Sequence, residues 1–267
     1  MAGLFQVLHG KPNGTFRRAE VLKGTDDKPL IIPIKGSEQM TENICTRPFA
    51  VDWDGDGHLD LVVGNFAGTF YWFKGQGKGK FPPKPEAIKA GDSPLRIEGA
   101  HSDPFVIDWD GDGDLDLLSG SSNGGVQWAE NRAGKGKAPD LSLFRPLIPP
   151  EPPIKSGRAV REDDLTGPSQ STRIWVEDVN SDGKLDLLVG DRISLIFPAK
   201  GLSAEDFEKK FADWEKAVED AMSKLNSAGA DAKAQPKAYE EYRKVYNRRD
   251  EFMHEEMTGF VWLYLQK

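Results

Sequence analysis

The chain has 267 residues, 38% of them hydrophobic, and a formal net charge of −8 at pH 7. That length and apolar content support one elaborated domain, taken here as 1–267, with a sizeable core. The acidic balance argues against the basic face that nucleic-acid binding needs. The single Cys45 excludes an intrachain disulfide, and no apolar run approaches the ~18 residues of a membrane-spanning helix.

The first segment, GLFQV at 3–7, reads as a strand, and a Gly/Lys turn leads from it to a second strand within GKPNGTFRRAEVL at 10–22. The opening MAGLFQVLHG lacks the charged start and long apolar centre of a secretory leader. The favoured expectation is an exported protein whose native N-terminus has been removed.

Three acidic loops follow: DWDGDGHLD at 52–60, DWDGDGDLD at 108–116 and DVNSDGKLD at 178–186. Each places carboxylate or amide oxygens at positions 1, 3, 5 and 9 and Gly at position 6. Oxygen donors in that alternation suit Ca²⁺, a hard cation that accepts six to eight oxygens at flexible geometry, better than Mg²⁺, which demands an octahedron. Glycine permits the sharp turn. Position 7, filled by His58, Asp114 and Lys184, varies freely, as expected where a backbone carbonyl is the ligand. These are not EF-hands. Position 12 holds Val63, Ser119 and Val189 where an EF-hand needs Glu, and the flanks are apolar strand sequences such as LDLVVG.

The repeat extends beyond the loops. Upstream stand TRPF at 46–49, SDPF at 102–105 and TRIW at 172–175; downstream stand TFYWF at 69–73, GVQWA at 125–129 and GFVWL at 259–263. This alignment puts Trp72, Trp128 and Trp262 at one position. The unit is strand, acidic loop, strand, Gly turn, strand, Gly turn, strand, and four antiparallel strands repeated radially describe a β-propeller blade. Two full blades are expected at about 46–90 and 102–148, a last blade from 172–197 and 258–266, and half a blade at 3–22.

These motifs resemble the FG-GAP/VCBS repeat family over roughly residues 1–198 and 257–267. The resemblance implies an integrin-α-like propeller with a Ca²⁺ loop between the first two strands of each blade. Carried over residue by residue, it implies as ligands Asp52, Asp54, Asp56 and Asp60; Asp108, Asp110, Asp112 and Asp116; and Asp178, Asn180, Asp182 and Asp186. His58, Asp114 and Lys184 would add backbone carbonyls, for about three Ca²⁺ ions in all. The third loop departs from the pattern at Asn180 and Ser181 and is expected to bind most weakly.

Residues 202–256 interrupt the last blade. Ser203 suits a helix N-cap, and Phe207, Phe211, Trp214, Val218, Ala221 and Leu225 form a helical stripe. After the loop SAGADAKAQP at 227–236, Tyr239, Tyr242, Tyr246 and Met253 form a second stripe, giving an antiparallel helical hairpin.

In a propeller the innermost strands line an axial channel. Thr46 and Arg47, His101, Ser102 and Asp103, and Thr172 and Arg173 enter it in register, a set able to hold a small anionic or sugar-like ligand. No G-x-S-x-G, H-E-x-x-H or Gly-rich phosphate loop is present. Trp53 and Trp109 shield the ions or form a contact platform on one rim. The leading functional expectation is a non-enzymatic, Ca²⁺-stabilised binding or adhesion module, extracellular, periplasmic or on the cell surface, with a protein or glycan ligand. The alternatives are a polysaccharide lyase-like enzyme acting on acidic glycans and a self-assembling homo-oligomeric subunit.

Overall fold

The computed structural model describes residues 3–33, 36, 41–152, 159–229 and 234–267. The chain divides into two compact units: Met1–Glu151 with Gly167–Arg192 and Phe260–Lys267, and Pro152–Thr166 with Ile193–Gly259.

The first unit is built from antiparallel sheets. Strands β1 (Gln6–Val7) and β2 (Glu20–Val21) pair as a short hairpin. Sheet I contains β3 (Arg47–Val51), β4 (Asp60–Gly64), β5 (Phe70–Phe73) and β6 (Glu86–Ala87), paired in that order. A two-stranded ribbon of β7 (Lys89–Ala90) and β8 (Ser93–Pro94) follows. Sheet II repeats the plan with β9 (Asp103–Ile107), β10 (Asp116–Gly120), β11 (Val126–Ala129) and β12 (Arg145–Ile148). Sheet III contains β13 (Gln170–Glu177), β14 (Asp186–Pro198) and, after a long excursion, β16 (Val261–Tyr264).

The second strands of sheets I and II are apolar on both faces because both faces are covered. Val62, Phe70 and Trp72 of sheet I pack against Val106, Leu117 and Ala129 of sheet II. Phe105, Leu118 and Val126 of sheet II pack against Val176, Leu187 and Val189 of sheet III. The other face of sheet I, through Val63 and Phe73, is covered by Phe5, Leu30 and Ile32 of the N-terminal segment. The protein is thus mainly β, with the expected strand–loop–strand unit repeated. No closed barrel or propeller ring is present among the described residues.

Trp53 and Trp109 do not form an exposed platform on a rim. Both are buried between sheets, Trp53 in the first inter-sheet core and Trp109 in the second, and the Trp53 indole donates to the Leu115 carbonyl at 3.0 Å. Trp262 is also out of the expected register. Trp72 faces Val62 and Trp128 faces Leu118, but the equivalent Leu188 faces Leu263. A one-residue offset turns a side chain to the opposite face, so Trp262 packs toward sheet II and Leu263 points away from it.

The second unit holds the helical hairpin, whose two helices lie within 202–256, together with flanking strand residues. Strand β14 continues past Arg192, and its outer half pairs with β15 (Met253–Thr258) from Ile193↔Thr258 to Pro198↔Met253. Helix α1 (Ala204–Ala228) starts at Ser203, whose hydroxyl accepts the Asp206 amide at 3.1 Å. Helix α2 (Ala234–Asn247) ends in a single 3-10 turn over Arg248–Glu251. Met253 is therefore not on the second helical stripe. With Phe252 it fills a core against Phe207 and Phe211, and burial there together with strand pairing outweighs one more helical turn. Part of the expected inter-helix loop, 230–233, lies outside the described residues. Among the described residues no helix is long and apolar enough to cross a membrane.

Candidate metal centres

Each acidic loop joins the first two strands of a sheet. Position-6 glycines Gly57, Gly113 and Gly183 have φ of 85°, 96° and 86°, a left-handed turn that glycine adopts without strain. The turn brings the acidic side chains together. Donor oxygens of Asp52, Asp54 and Asp56 lie within 4.8 Å of one another, as do those of Asp108, Asp110 and Asp112.

Backbone amides fold each loop around its first carboxylate. Asp52 accepts the Gly57 amide at 2.9 Å, Asp108 accepts those of Gly111 and Gly113 at 2.8 and 3.0 Å, and Asp178 accepts those of Asp182 and Gly183 at 3.0 and 2.9 Å. The position-5 carboxylates of Asp56, Asp112 and Asp182 each accept the amide two residues on, that of His58, Asp114 or Lys184.

The position-9 carboxylates have a second role. Asp60, Asp116 and Asp186 are fully buried. One oxygen of each accepts the amide of position 2, from Trp53, Trp109 and Val179 at 3.2, 3.1 and 3.0 Å. The other accepts an amide just past the third strand, from Gly75, Asn131 and Gln266 at 2.6, 2.7 and 3.0 Å. These aspartates clamp loop, second strand and third strand, while a second lone pair on each oxygen remains for a cation. Burial pushes the Asp116 carboxyl up to about 6, against the opposing pull of the Asn131 and Trp109 amides. Burial likewise raises Asp60 and Asp114.

A cation would satisfy what the protein leaves open. Asp52 Oδ1, Asp54 Oδ1 and Asp114 Oδ1 are buried without a hydrogen-bond partner among the described residues. Unpaired buried carboxylate oxygens are costly, and a hard divalent ion is the group that such an all-oxygen set accommodates.

The loops differ in a way the sequence reading missed. The Lys74 ammonium pairs with Asp54 and lies 3.5 Å from Asp56, so the first loop carries its own counter-cation. The Asp54 contact, the largest cause, raises the Lys74 pKa. The position one residue before the clamping amide is Lys74 in the first copy, Glu130 in the second and Leu265 in the third. In the third loop Asn180 replaces a carboxylate and its amide nitrogen donates to Asp182 at 3.2 Å. There Ser181 adopts φ 61° where Gly55 and Gly111 sit at 70° and 78°.

Comparison with known families now adds one finding. Residues 52–119 match the model of the FG-GAP-like repeat. No curated protein matches the chain. The matched FG-GAP-like stretch contains the two loops in which three carboxylates converge.

The expected channel residues separate into two groups. The hydroxyls of Ser102 and Thr172 are not available to a channel ligand, because both residues are fully buried as inter-sheet staples. Ser102 Oγ accepts the Asn65 amide and donates to the Thr69 carbonyl, each at 2.8 Å. Thr172 Oγ1 makes the same pair, each at 2.8 Å, with Ser121 and Gly125. Thr46, at the same register position, is half-buried. The charged residues do converge. Arg47 and Arg173 each place Nε 3.8 Å from one oxygen of Asp103, and Arg47 Nη1 donates to the His101 carbonyl at 3.0 Å. Burial, then the two guanidinium groups, lower the His101 pKa, and its ring packs edge-on against Phe66. Cys45 and His101, just before β3 and β9, and Ser171, near the start of β13, all have left-handed backbones.

Proposed function

We propose that this chain is a calcium-binding module of β-propeller-type blades, working by recognition of a protein or glycan ligand on the extracellular, periplasmic or cell-surface side. Calcium would be held by positions 1, 3, 5 and 9 of each loop and by the carbonyls of His58, Asp114 and Lys184, about three ions in all. Its role is structural. It neutralises converging carboxylates, fixes the first hairpin of each blade and stiffens the rim that the loops form.

The observation that carries this reading is the pair of orphaned oxygens, Asp52 Oδ1 and Asp54 Oδ1, in a cluster where one donor oxygen each of Asp52, Asp54 and Asp56 lies within 4.8 Å of the others. A thermal melt of the full chain in Ca²⁺, in Mg²⁺ and in EDTA tests it. A large stabilisation by Ca²⁺ at millimolar concentration and a much smaller one by Mg²⁺ is the expected result. A melt indifferent to EDTA would refute it.

A further inference from the structure

Arg47, Asp103 and Arg173 occupy one position of the repeat, five residues before the first aspartate of each acidic loop. Each faces the equivalent glycine of its second strand, Gly64, Gly120 or Gly190. Strand β9 runs beside both β3 and β13, so Asp103 stands between the two arginines, at the strand ends away from the acidic loops.

The three groups are close without being mutually satisfied. Each arginine places Nε 3.8 Å from a different oxygen of Asp103, beyond hydrogen-bond reach. A guanidinium carries five N–H donors. Among the described residues Arg47 uses one, on the His101 carbonyl at 3.0 Å, and Arg173 uses one, on the Thr172 carbonyl at 3.1 Å. The other donors are not sealed in. None is among the buried unpartnered atoms, and the Arg47 and Arg173 side chains are 21% and 45% exposed. Two guanidinium groups against one carboxylate leave a formal charge of +1 here, on a chain of −8. Burial and then the Arg173 charge lower the Arg47 pKa, as expected of two cations that one carboxylate does not balance. His101, lowered by burial and by both arginines, stays neutral and adds no charge.

We infer that this cluster binds a small hydroxycarboxylate, with the carboxylate held by Arg47 and Arg173 and the neighbouring hydroxyl donating to Asp103. The donor set selects that chemistry. A simple anion meets repulsion from Asp103, and a neutral sugar leaves the excess positive charge uncompensated. A carboxylate beside a hydroxyl answers both, because Asp103 is an acceptor that lacks a donor from either arginine. The Ser102 and Thr172 hydroxyls are already committed between sheets, so recognition here falls to the charged groups. The inference gives the recognition reading above a site and rests on that reading, but it needs no calcium.

Calorimetric titration of the full chain with lactate, propionate, gluconate and inorganic phosphate, in Ca²⁺ and in EDTA, tests it. Lactate and propionate differ by the hydroxyl alone, and lactate is expected to bind several-fold more tightly. Arg173→Ala should weaken lactate about ten-fold or more. Asp103→Asn should tighten propionate while abolishing the preference for lactate. Arg145→Ala, stacked on Trp128 outside the cluster, should bind as the wild type does. Should Arg173→Ala fail to fold, Arg173→Gln replaces it. Gluconate binding more tightly than lactate assigns the ligand to the sugar acids, and the reverse order assigns it to simple hydroxy acids; either upholds the inference. No binding overturns it. So does equal binding of lactate and propionate, phosphate binding more tightly than any hydroxycarboxylate, or a lactate preference that survives Asp103→Asn. Lactate binding in a chain whose melt ignores EDTA upholds this inference and refutes only the calcium reading. Stabilisation by Ca²⁺ without hydroxycarboxylate binding does the opposite.

Discussion

Adding one methyl group at each of three equivalent glycines provides an internally controlled test of how the sheets are spaced. In Gly64→Ala the new Cβ would sit 2.8 Å from both the Ser102 carbonyl carbon and Pro104 Cδ, and closer still to the Ser102 carbonyl oxygen. In Gly120→Ala it would sit 2.7 Å from the Thr172 carbonyl carbon and 3.0 Å from Thr172 Oγ1. Neighbouring backbone cannot rotate away as a flexible side chain can, so the next sheet must retreat by roughly half an ångström or more, and such overpacking costs about 1–3 kcal/mol. The retreat also stretches the Ser102 and Thr172 staples, each of which joins two sheets through two hydrogen bonds of 2.8 Å. At about 2–4 °C per kcal/mol for a domain of this size, the melting temperature should fall by roughly 4–10 °C in each variant. Gly190→Ala meets only one atom, at 4.0 Å, and gains the ~0.4–1 kcal/mol that a restricted unfolded chain confers, so its melt should rise by about 1–3 °C. Differential scanning calorimetry of the three variants in one buffer is the assay. Equal losses at all three sites, or no loss at Gly64 and Gly120, would refute the reasoning.

Further outcomes follow from the loops. Ser181→Gly relieves a left-handed serine and should raise stability by about 1 kcal/mol in a denaturant melt, with no change in the other two loops. Ser102→Ala leaves the buried Asn65 amide without its acceptor and should cost about 1–3 kcal/mol, measured the same way. In the metal-free chain, Asp116 takes up its proton near pH 6 when folded, but only near ~4 when unfolded. Its contribution to stability is therefore present at low pH and lost as pH rises through about 6. Carboxyl NMR in EDTA should show this titration, and metal affinity at the second loop should weaken over the same range as protons compete.

The acidic loops were legible because their chemistry is local: spacing alone puts three oxygens on one turn. The sheets were legible for a similar reason, since apolar pairs bounded by Gly turns repeat with the loops. What failed depended on contacts far along the chain. The run FVWLYL at 260–265 fits a strand in either register, and only the Gln266 amide on Asp186 and the facing of Leu263 to Leu188 fix it. Trp53 and Trp109 lie inside polar loops and read as rim residues, yet the close approach of the next sheet buries them. Ser102 and Thr172 suggested a channel because a hydroxyl recurs in register. They recur because each sheet edge needs an acceptor for a buried amide of its neighbour. Met253 continued a helical spacing, but the Phe207–Phe252 cluster lies where a strand, not a helix, delivers it.

The three loops also differ in how they should take up metal, and the difference comes from residues outside the nine-position motif. The second loop gathers Asp108, Asp110, Asp112, Asp114 and Asp116, with an orphaned oxygen on Asp114 and Glu130 where the first copy has lysine. The first loop has equally converged donors, but Lys74 must leave Asp54 before a cation enters. Lys74 is nearly half exposed, so its pairing is screened and worth about 0.2–1 kcal/mol, a factor of roughly 1.4–5 in affinity. The third loop lacks one carboxylate and holds a left-handed serine. The expected filling order is second, first, third. Calorimetric titration with Ca²⁺ of the wild type, Lys74→Ala and Asp110→Asn resolves it: Lys74→Ala should tighten one site a few-fold, and Asp110→Asn should remove the tightest. Loss of the weakest site in Asp110→Asn, or an unchanged titration in Lys74→Ala, would show that charge outside the motif does not set the order.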